Sequence, residues 1–135
     1  MILLLLLAVT LPPGVSAVFF GRGERFKDAA GKEMCSIVKP LSEPAVFERG
    51  VTEISYGIAL TPHVVKHASA RVIAPGAQEL RVVSCNIFTP VKGGFSQTQL
   101  GSTISRTDNR PLAPGAYRLR ITVDGQTAEI PFSVR

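Results

Sequence analysis

The most regular pattern of apolar and polar residues lies near the carboxyl end of the chain. Residues 117–123 alternate strictly between the two kinds, and residues 128–134 resume the alternation after Asp124-Gly125. Asp and Gly both tolerate the positive φ angles that a two-residue hairpin turn requires. The pattern therefore predicts a β-hairpin with one apolar face. The residues of that face are Tyr117, Leu119, Ile121, Val123, Ala128, Ile130, Phe132 and Val134.

A hairpin of this kind has to bury its apolar face, usually against a second sheet. Pro131 lies inside the second strand and cannot donate a backbone hydrogen bond. We therefore expect the last strand to lie at a sheet edge or to contain a bulge.

Upstream of the hairpin, short extended segments alternate with segments that contain Pro or Gly. The candidate strands are residues 18–20, 34–38, 51–60, 64–73, 79–88 and 95–104. Together with the hairpin they give about seven to eight short strands at spacings of about ten residues, which is typical of β-sandwiches. The sequence therefore predicts an all-β fold, an immunoglobulin-like sandwich of two antiparallel sheets. No internal repeat or linker divides it, so we expect a single domain.

Residues 1–17 have the features of a secretory signal peptide. An apolar run is followed by a Pro-Pro-Gly break and by Val15-Ser16-Ala17, with small residues at the cleavage positions. The sequence thus predicts a secreted protein, extracellular or delivered to a lysosome or a periplasm, whose folded domain is residues 18–135. An uncleaved membrane anchor is the alternative, although the apolar run is short for a membrane span.

The formal net charge of the chain is +5 at pH 7. A charge of this size favours contact with acidic partners, a receptor protein or an anionic membrane surface. The chain has no run of Lys and Arg and no basic stripe interleaved with aromatic residues, which argues against nucleic-acid binding.

The two cysteines of the chain are Cys35 and Cys85. Secretion permits a disulfide, and two cysteines allow only one intramolecular pairing. Such a bond would stabilise the fold by roughly 4 kcal/mol in the chain-entropy description. Two buried free thiols are the alternative.

Few residues suggest catalysis or metal binding. His63 and His67 are four residues apart, but no third metal ligand lies near them in the sequence. The Gly-x-Ser-x-Gly motif of a nucleophilic serine is absent. Asp28, Asp108 and Asp124 lie in predicted loops or turns, where Asp is favoured for backbone reasons. We therefore expect a binding protein with no metal, no cofactor and no enzymatic activity.

The apolar and aromatic residues of the predicted strands have two possible roles. They form a packed sandwich core, or they line a ligand cavity between sheets that have opened apart. Composition alone does not separate these roles. The candidate cavity residues are Tyr56, Ile58, Val72, Phe88, Phe95, Tyr117, Leu119, Ile121 and Phe132.

Four short motifs, spread over nearly all of residues 18–135, are similar to motifs of the ML domain, the lipid-recognition family. The last of them precedes the closing hairpin and also resembles the Pro-Gly-x-Tyr hairpins of bacterial immunoglobulin-like modules. The motifs are Phe26-Lys27-Asp28-Ala29, Glu48-Arg49-Gly50, Thr89-Pro90-Val91-Lys92-Gly93-Gly94 and Pro114-Gly115-Ala116-Tyr117.

The chain departs from the ML pattern in its cysteines, because members of the family usually carry three disulfides. Ala29 and Ala128 lie where the terminal bridge is expected, and Thr89 lies where the mid-chain bridge is expected. Under the resemblance, Cys85 therefore needs a new partner, which would be Cys35.

The resemblance implies a sandwich whose sheets splay to hold a sterol, a fatty acyl chain or a glycolipid, for transfer or presentation. Basic residues near the mouth of the cavity would contact lipid phosphates, and the candidates are Lys66, Arg71, Arg81 and Lys92. Two other hypotheses remain open. One is a periplasmic or cell-surface immunoglobulin-like module, structural or for interaction, with a closely packed core, no ligand cavity and an exposed edge strand. The other is a secreted inhibitor that acts through a loop at residues 93–103.

Overall fold

The computed structural model of the protein describes residues 10–21, 24–27, 29–30, 33–36, 45–62, 64–84 and 86–135. These residues form eleven β-strands and no helix. The strands are β1 (Val15–Gly21), β2 (Glu24–Lys27), β3 (Glu33–Ser36), β4 (Ala45–Phe47), β5 (Glu53–Leu60), β6 (Ala68–Ile73), β7 (Leu80–Ser84), β8 (Ile87–Val91), β9 (Gly94–Arg106), β10 (Gly115–Val123) and β11 (Gln126–Val134).

Nine of these strands form the two sheets of a β-sandwich, which confirms the predicted fold class. The first sheet has the order β1-β5-β9-β7, with β8 paired to the amino-terminal part of β9, and the second has the order β4-β11-β10-β6. An immunoglobulin domain has strands A, B, E and D in one sheet and C, F and G in the other. The order seen here matches that arrangement, with β1, β5, β9 and β7 as the ABED sheet and β6, β10 and β11 as the CFG sheet.

The closing hairpin forms as its alternation predicts. Val123 pairs with Gln126 across a two-residue turn, and Asp124 and Gly125 have φ angles of 47° and 84°. Positive φ at both turn residues is the combination that a tight hairpin needs to match strand twist. The ladder then runs without a bulge to Gly115 and Val134, so every apolar residue of the pattern points to the same side.

That side is the core of the sandwich. Residues from β1, β5, β9, β10 and β11 form one contiguous apolar cluster, and each is at most 6 % exposed. Ser55 and Thr103, which point away from this core, are buried as well, and their hydroxyls share a hydrogen bond of 2.7 Å. Burial of this extent is the main source of stability in a domain of this size.

Several sequence predictions differ from the structure in detail. The described residues contain three strands more than the eight predicted segments. β2 and β4 are short and lack a strong alternation, and the predicted strand at residues 79–88 is divided into β7 and β8. The pairing is not wholly antiparallel, since β4 runs parallel to β11. Residues 93–103 are not a loop: they belong largely to β9, and residues 101–104 are buried. The exposed loop that the inhibitor hypothesis places at residues 93–103 is therefore wrong.

Pro131 does not place β11 at a sheet edge, because β11 lies between β10 and β4. The ladder with β4 begins at Phe132, which pairs with Ala45, and Pro131 pairs with Arg118 of β10 on the other side. Pro131, which has no backbone N–H, therefore lies just before the β4 ladder begins. Its missing donor removes no hydrogen bond of that ladder.

The first strand includes Val15, Ser16 and Ala17, which the sequence assigns to the signal peptide. Val15 pairs with Leu60 and Ala17 with Ala59, with a register shift between them. Cleavage after Ala17 would leave β1 as residues 18–21, whose inward residues Val18 and Phe20 belong to the core.

Candidate functional site

Seven of the nine residues predicted to line a cavity lie on the inner faces of the sandwich. Six of the nine are at most 3 % exposed and belong to one core cluster, and Val72 packs partly buried against it. Phe88 lies in β8 and Phe95 in β9, but their side chains are outside the described part of the structure. The six buried residues are Tyr56, Ile58, Tyr117, Leu119, Ile121 and Phe132.

An aromatic cluster centred on Phe132 joins the two sheets. The ring of Phe132 in β11 lies 4.9 Å from that of Phe20 in β1, measured between centroids. On its own sheet it stacks on Tyr117 at 5.1 Å and meets Phe47 edge-on at 6.2 Å. These separations are those of rings in direct contact. The space between the sheets is therefore filled by side chains at this point.

The hydroxyl of Tyr117 is fixed at the corner where the chain enters β10. It donates to the carbonyl oxygen of Ala113, four residues upstream, at 2.6 Å. Gln78 connects this corner to the β6–β7 loop. Its amide nitrogen donates to the hydroxyl of Tyr117 and to the carbonyl oxygen of Pro75, and its amide oxygen accepts from the backbone N–H of Ala113. A tyrosine bonded in this way at the start of strand F is a hallmark of immunoglobulin domains.

Gly115 allows this corner to close against the β6–β7 loop. Its φ angle is +139°, and a Cβ atom placed on it would lie 3.1 Å from the ring of Pro75. A residue larger than glycine at position 115 would therefore be strained, both by the backbone angle and by the contact with Pro75. The Pro-Gly-x-Tyr motif thus has a structural explanation in the corner itself.

We expect Tyr117→Phe to lower the free energy of unfolding by about 1–2 kcal/mol, because Gln78 and the carbonyl of Ala113 lose a buried partner while the ring packing is kept. Urea unfolding followed by circular dichroism measures this. The variant Gln78→Ala should lose a similar amount, and the double variant should lose less than the sum. Full additivity would show that the two side chains act independently.

Burial raises the pKa of Tyr117, an effect that the hydrogen bond from Gln78 only partly offsets. The pKa of Tyr56 is raised for the same reason and is lowered less by its hydrogen bond to Ser102. Both phenols are therefore neutral at physiological pH, and both serve as core residues with one satisfied polar atom.

The turn residue Asp124 ties the closing hairpin to the segment before β6. Its carboxylate accepts hydrogen bonds from the backbone N–H groups of Lys66 and His67, and its own N–H donates to the carbonyl of His67. The bonds from His67 and Lys66 lower the pKa of Asp124. Lys66 is thereby placed at the hairpin turn.

Because this pKa is lower in the folded than in the unfolded protein, the stabilisation from Asp124 is present above about pH 4 and is lost as pH falls through the folded value. Asp124→Asn removes the charge and tolerates the positive φ of the turn. We expect the difference in urea midpoint between the two proteins to be largest near neutral pH and to shrink below about pH 4. A difference that is constant with pH would contradict this assignment.

The outer face of the second sheet carries a row of charged residues across three strands. Arg71 of β6 pairs with Arg120 of β10, and Arg120 pairs on its other side with Glu129 of β11. Glu129 also accepts from Arg118, at 2.8 Å, and from Arg120, at 3.0 Å. These arginines lower the pKa of Glu129, the hydrogen bond from Arg120 having the largest effect.

An open groove of about 590 Å³ lies along this face. Both arginines of the row, the carboxylate of Glu129 and three hydroxyl groups border it. The lining residues are Ser69, Ala70, Arg71, Arg120, Thr122, Thr127 and Glu129. Within the described residues Arg71 forms no ion pair, so the groove has one guanidinium without an acidic partner.

The four basic residues predicted at a cavity mouth do not converge on one opening. Arg71 points outward from the second sheet, and Arg81 of β7, which pairs with Ser105 of β9, points outward from the first. Lys66 lies beside the hairpin turn, and Lys92 lies in the turn between β8 and β9. The four candidates therefore do not form one basic cluster, and a lipid contact of any one of them stays a prediction.

The predicted disulfide and the histidine pair fall partly outside the described residues. Cys35 lies in β3 without a described side chain, and Cys85 and His63 are not described, so the disulfide stays a prediction. Among the described residues no group of three or more His, Cys, Asp or Glu side chains could hold a metal ion. In that same part of the chain no helix is long and apolar enough to cross a membrane.

A comparison with protein-family models found no matching family, and a comparison with curated proteins found no matching relative.

Sequence reasoning missed Gln78 and the arginine row. Part of the row could have been predicted. A two-residue turn at Asp124-Gly125 fixes the register of the hairpin, and that register places Arg120 opposite Glu129. The position of Arg71 depends on the pairing of β6 with β10, which joins residues about fifty apart in sequence. No local pattern indicates that pairing.

Proposed function

We propose that the protein is an immunoglobulin-type interaction module that binds a polypeptide partner at a sheet edge and holds no lipid between its sheets. The contact between Phe20 and Phe132 carries this proposal, since these rings belong to different sheets and lie 4.9 Å apart. A lipid chain at this point would have to separate them and lose their packing, which dispersion and hydrophobic burial both oppose.

The remaining inner-face residues support a filled interior. Ile54, Ile58, Leu119 and Ile121 are fully buried within the same cluster as the aromatic rings. The hydroxyl of Tyr117 is already bonded and does not point as a free polar group into a ligand site. A ligand cavity usually combines apolar walls with a few unpartnered polar groups that orient the ligand.

Free sheet edges support a polypeptide partner. In the described part of the chain β6 and β7 each pair with one strand only. The unpaired backbone groups of an edge strand are a template for the addition of another strand. These edges are what favours recognition of a polypeptide by the described part of the chain.

The lipid-carrier hypothesis, which follows from the resemblance to the ML domain, makes the opposite prediction for the interior. Titration with a fluorescent sterol and with a fluorescent fatty acid separates the two. We expect no saturable increase in probe fluorescence at protein concentrations of about 10 μM, where transfer into a preformed apolar cavity would be readily observed. Saturable uptake at one probe per protein would overturn the proposal.

A further inference from the structure

The two sheets are offset by one strand, so the inner side of β7 is covered only in part: Leu80 packs against the core, but Val82 does not. Phe20 of β1 contacts Phe132 of β11, and β6 approaches β9 across the interface, so that β7 extends beyond the edge at β6. Val82 of β7 pairs with the fully buried Ile104 and shares its inner face, yet Val82 is 57 % exposed. A strand beside β6 would lie over this valine.

The free edge of β6 has apolar residues on one face for such a strand to meet. Ala70 and Val72 point into the sandwich but are only partly buried, whereas Ile121 and Leu119, their partners on β10, are fully buried. The inner residues of β10 are thus covered, whereas those of β6 keep exposed area that an added strand would cover.

The outer face of the same edge has an unbalanced charge. The row across the sheet reads Glu129, Arg120, Arg71, so two arginines lie directly opposite one another and the only acid of the row lies beyond them. Like charges that are directly opposite destabilise a sheet, and opposite charges stabilise it. Glu129 is already bonded to Arg118 and Arg120, which leaves the guanidinium of Arg71 for a further carboxylate.

We propose that a β-strand of a protein partner adds to the free edge of β6 and places an acidic residue opposite Arg71. The residues of that strand on either side of the acid point inward, where apolar side chains cover Ala70, Val72 and Val82. This inference rests on the proposed function. It specifies β6 as the edge that binds, and an acidic residue flanked by apolar residues as what the partner strand contributes. Backbone hydrogen bonds supply affinity in such an addition, and alternate side chains supply specificity.

A second copy of this chain fits the edge poorly. The sequence of β6 is ASARVI, which contains no acid, so two paired β6 edges would leave both copies of Arg71 without a carboxylate. Each copy also has a net charge of +5, and the copies would repel one another.

A displayed library of random heptapeptides, panned on the full chain, tests the proposal. We expect the selected peptides to alternate apolar and polar residues around a central Asp or Glu, and hydrogen exchange to show newly protected amides in β6. Arg71→Glu should weaken binding of a synthetic selected peptide by about tenfold in fluorescence anisotropy, and panning on that variant should select Lys or Arg instead.

Arg81→Glu is the matched control, since it makes the same charge change on β7, on the outer face of the other sheet. It should leave the affinity within about twofold, because only the long-range field changes. Equal losses for the two variants would overturn the inference. Peptides that protect β1 or β7 rather than β6 would overturn it while leaving edge-strand binding intact. Uptake of sterol or fatty acid, measured separately, would overturn the proposed function itself.

Discussion

Phe132→Ala should lower the free energy of unfolding by about 3–5 kcal/mol, the largest effect of any single substitution that we expect here. The ring of Phe132 is 3 % exposed and contacts three other rings: Phe20 on the facing sheet, and Tyr117 and Phe47 on its own sheet. Truncation removes the hydrophobic burial of the ring and leaves a void that these neighbours fill only in part. Urea unfolding at neutral pH measures the loss.

The matched control is Phe132→Leu, which keeps most of the volume and should cost clearly less than the alanine variant. If Phe132 instead lined an open lipid cavity, its removal would enlarge an existing space and lose few contacts. A loss of less than about 1 kcal/mol for Phe132→Ala would therefore contradict a filled interior.

Ala128→Leu should destabilise the protein by about 1–3 kcal/mol, because it adds volume to a packed core. Ala128 is 9 % exposed and points inward from β11, opposite the fully buried Ile121. In a ligand cavity the same substitution would fill empty space and cost little stability. Differential scanning calorimetry or urea unfolding measures the difference.

Ala116→Leu supplies the control for Ala128→Leu. Ala116 is in β10, pairs with Ser133 and is exposed on the outer face, so the same change of side chain should alter stability by no more than about 0.5 kcal/mol. If Ala128→Leu were neutral or stabilising while Ala116→Leu behaved as expected, the core would contain room for a ligand.

The parts of the fold that could be predicted from the sequence are those with a local cause. The closing hairpin is the clearest case, because an alternating pattern on each side of Asp124-Gly125 specifies the strands, the turn and the register together. The strong alternation of residues 54–60 likewise predicted β5. Immunoglobulin-like sandwich architecture followed from the number and spacing of such segments.

Pairing between strands that are distant in sequence could not be predicted, because no local pattern of residues indicates it. The parallel ladder of β4 with β11 joins Ala45 to Phe132, and nothing near Ala45 indicates that partner. Gln78 is an ordinary loop residue until the fold brings it to Tyr117. The Pro-Gly-x-Tyr motif was correctly located, but its role as a corner depends on a hydrogen bond to Ala113 that alternation does not reveal.

The choice between a core and a cavity is the part of the site that sequence reasoning could not decide. Both require apolar side chains at Tyr117, Leu119 and Ile121, so composition and period are identical in the two cases. The contact between Phe20 and Phe132 bears on this choice, because it shows that facing side chains touch at that point. The arginine row was missed for a related reason, since its charge imbalance arises only when β6 lies beside β10.

Native mass spectrometry of the purified protein, followed by organic extraction and lipid analysis, tests the filled interior most directly. We expect the mass of the polypeptide alone, with no sterol, fatty acid or phospholipid in stoichiometric amount. A lipid that co-purifies at one molecule per protein, and that is lost in Ala128→Leu but kept in Ala116→Leu, would contradict a filled interior and would establish a cavity between the sheets.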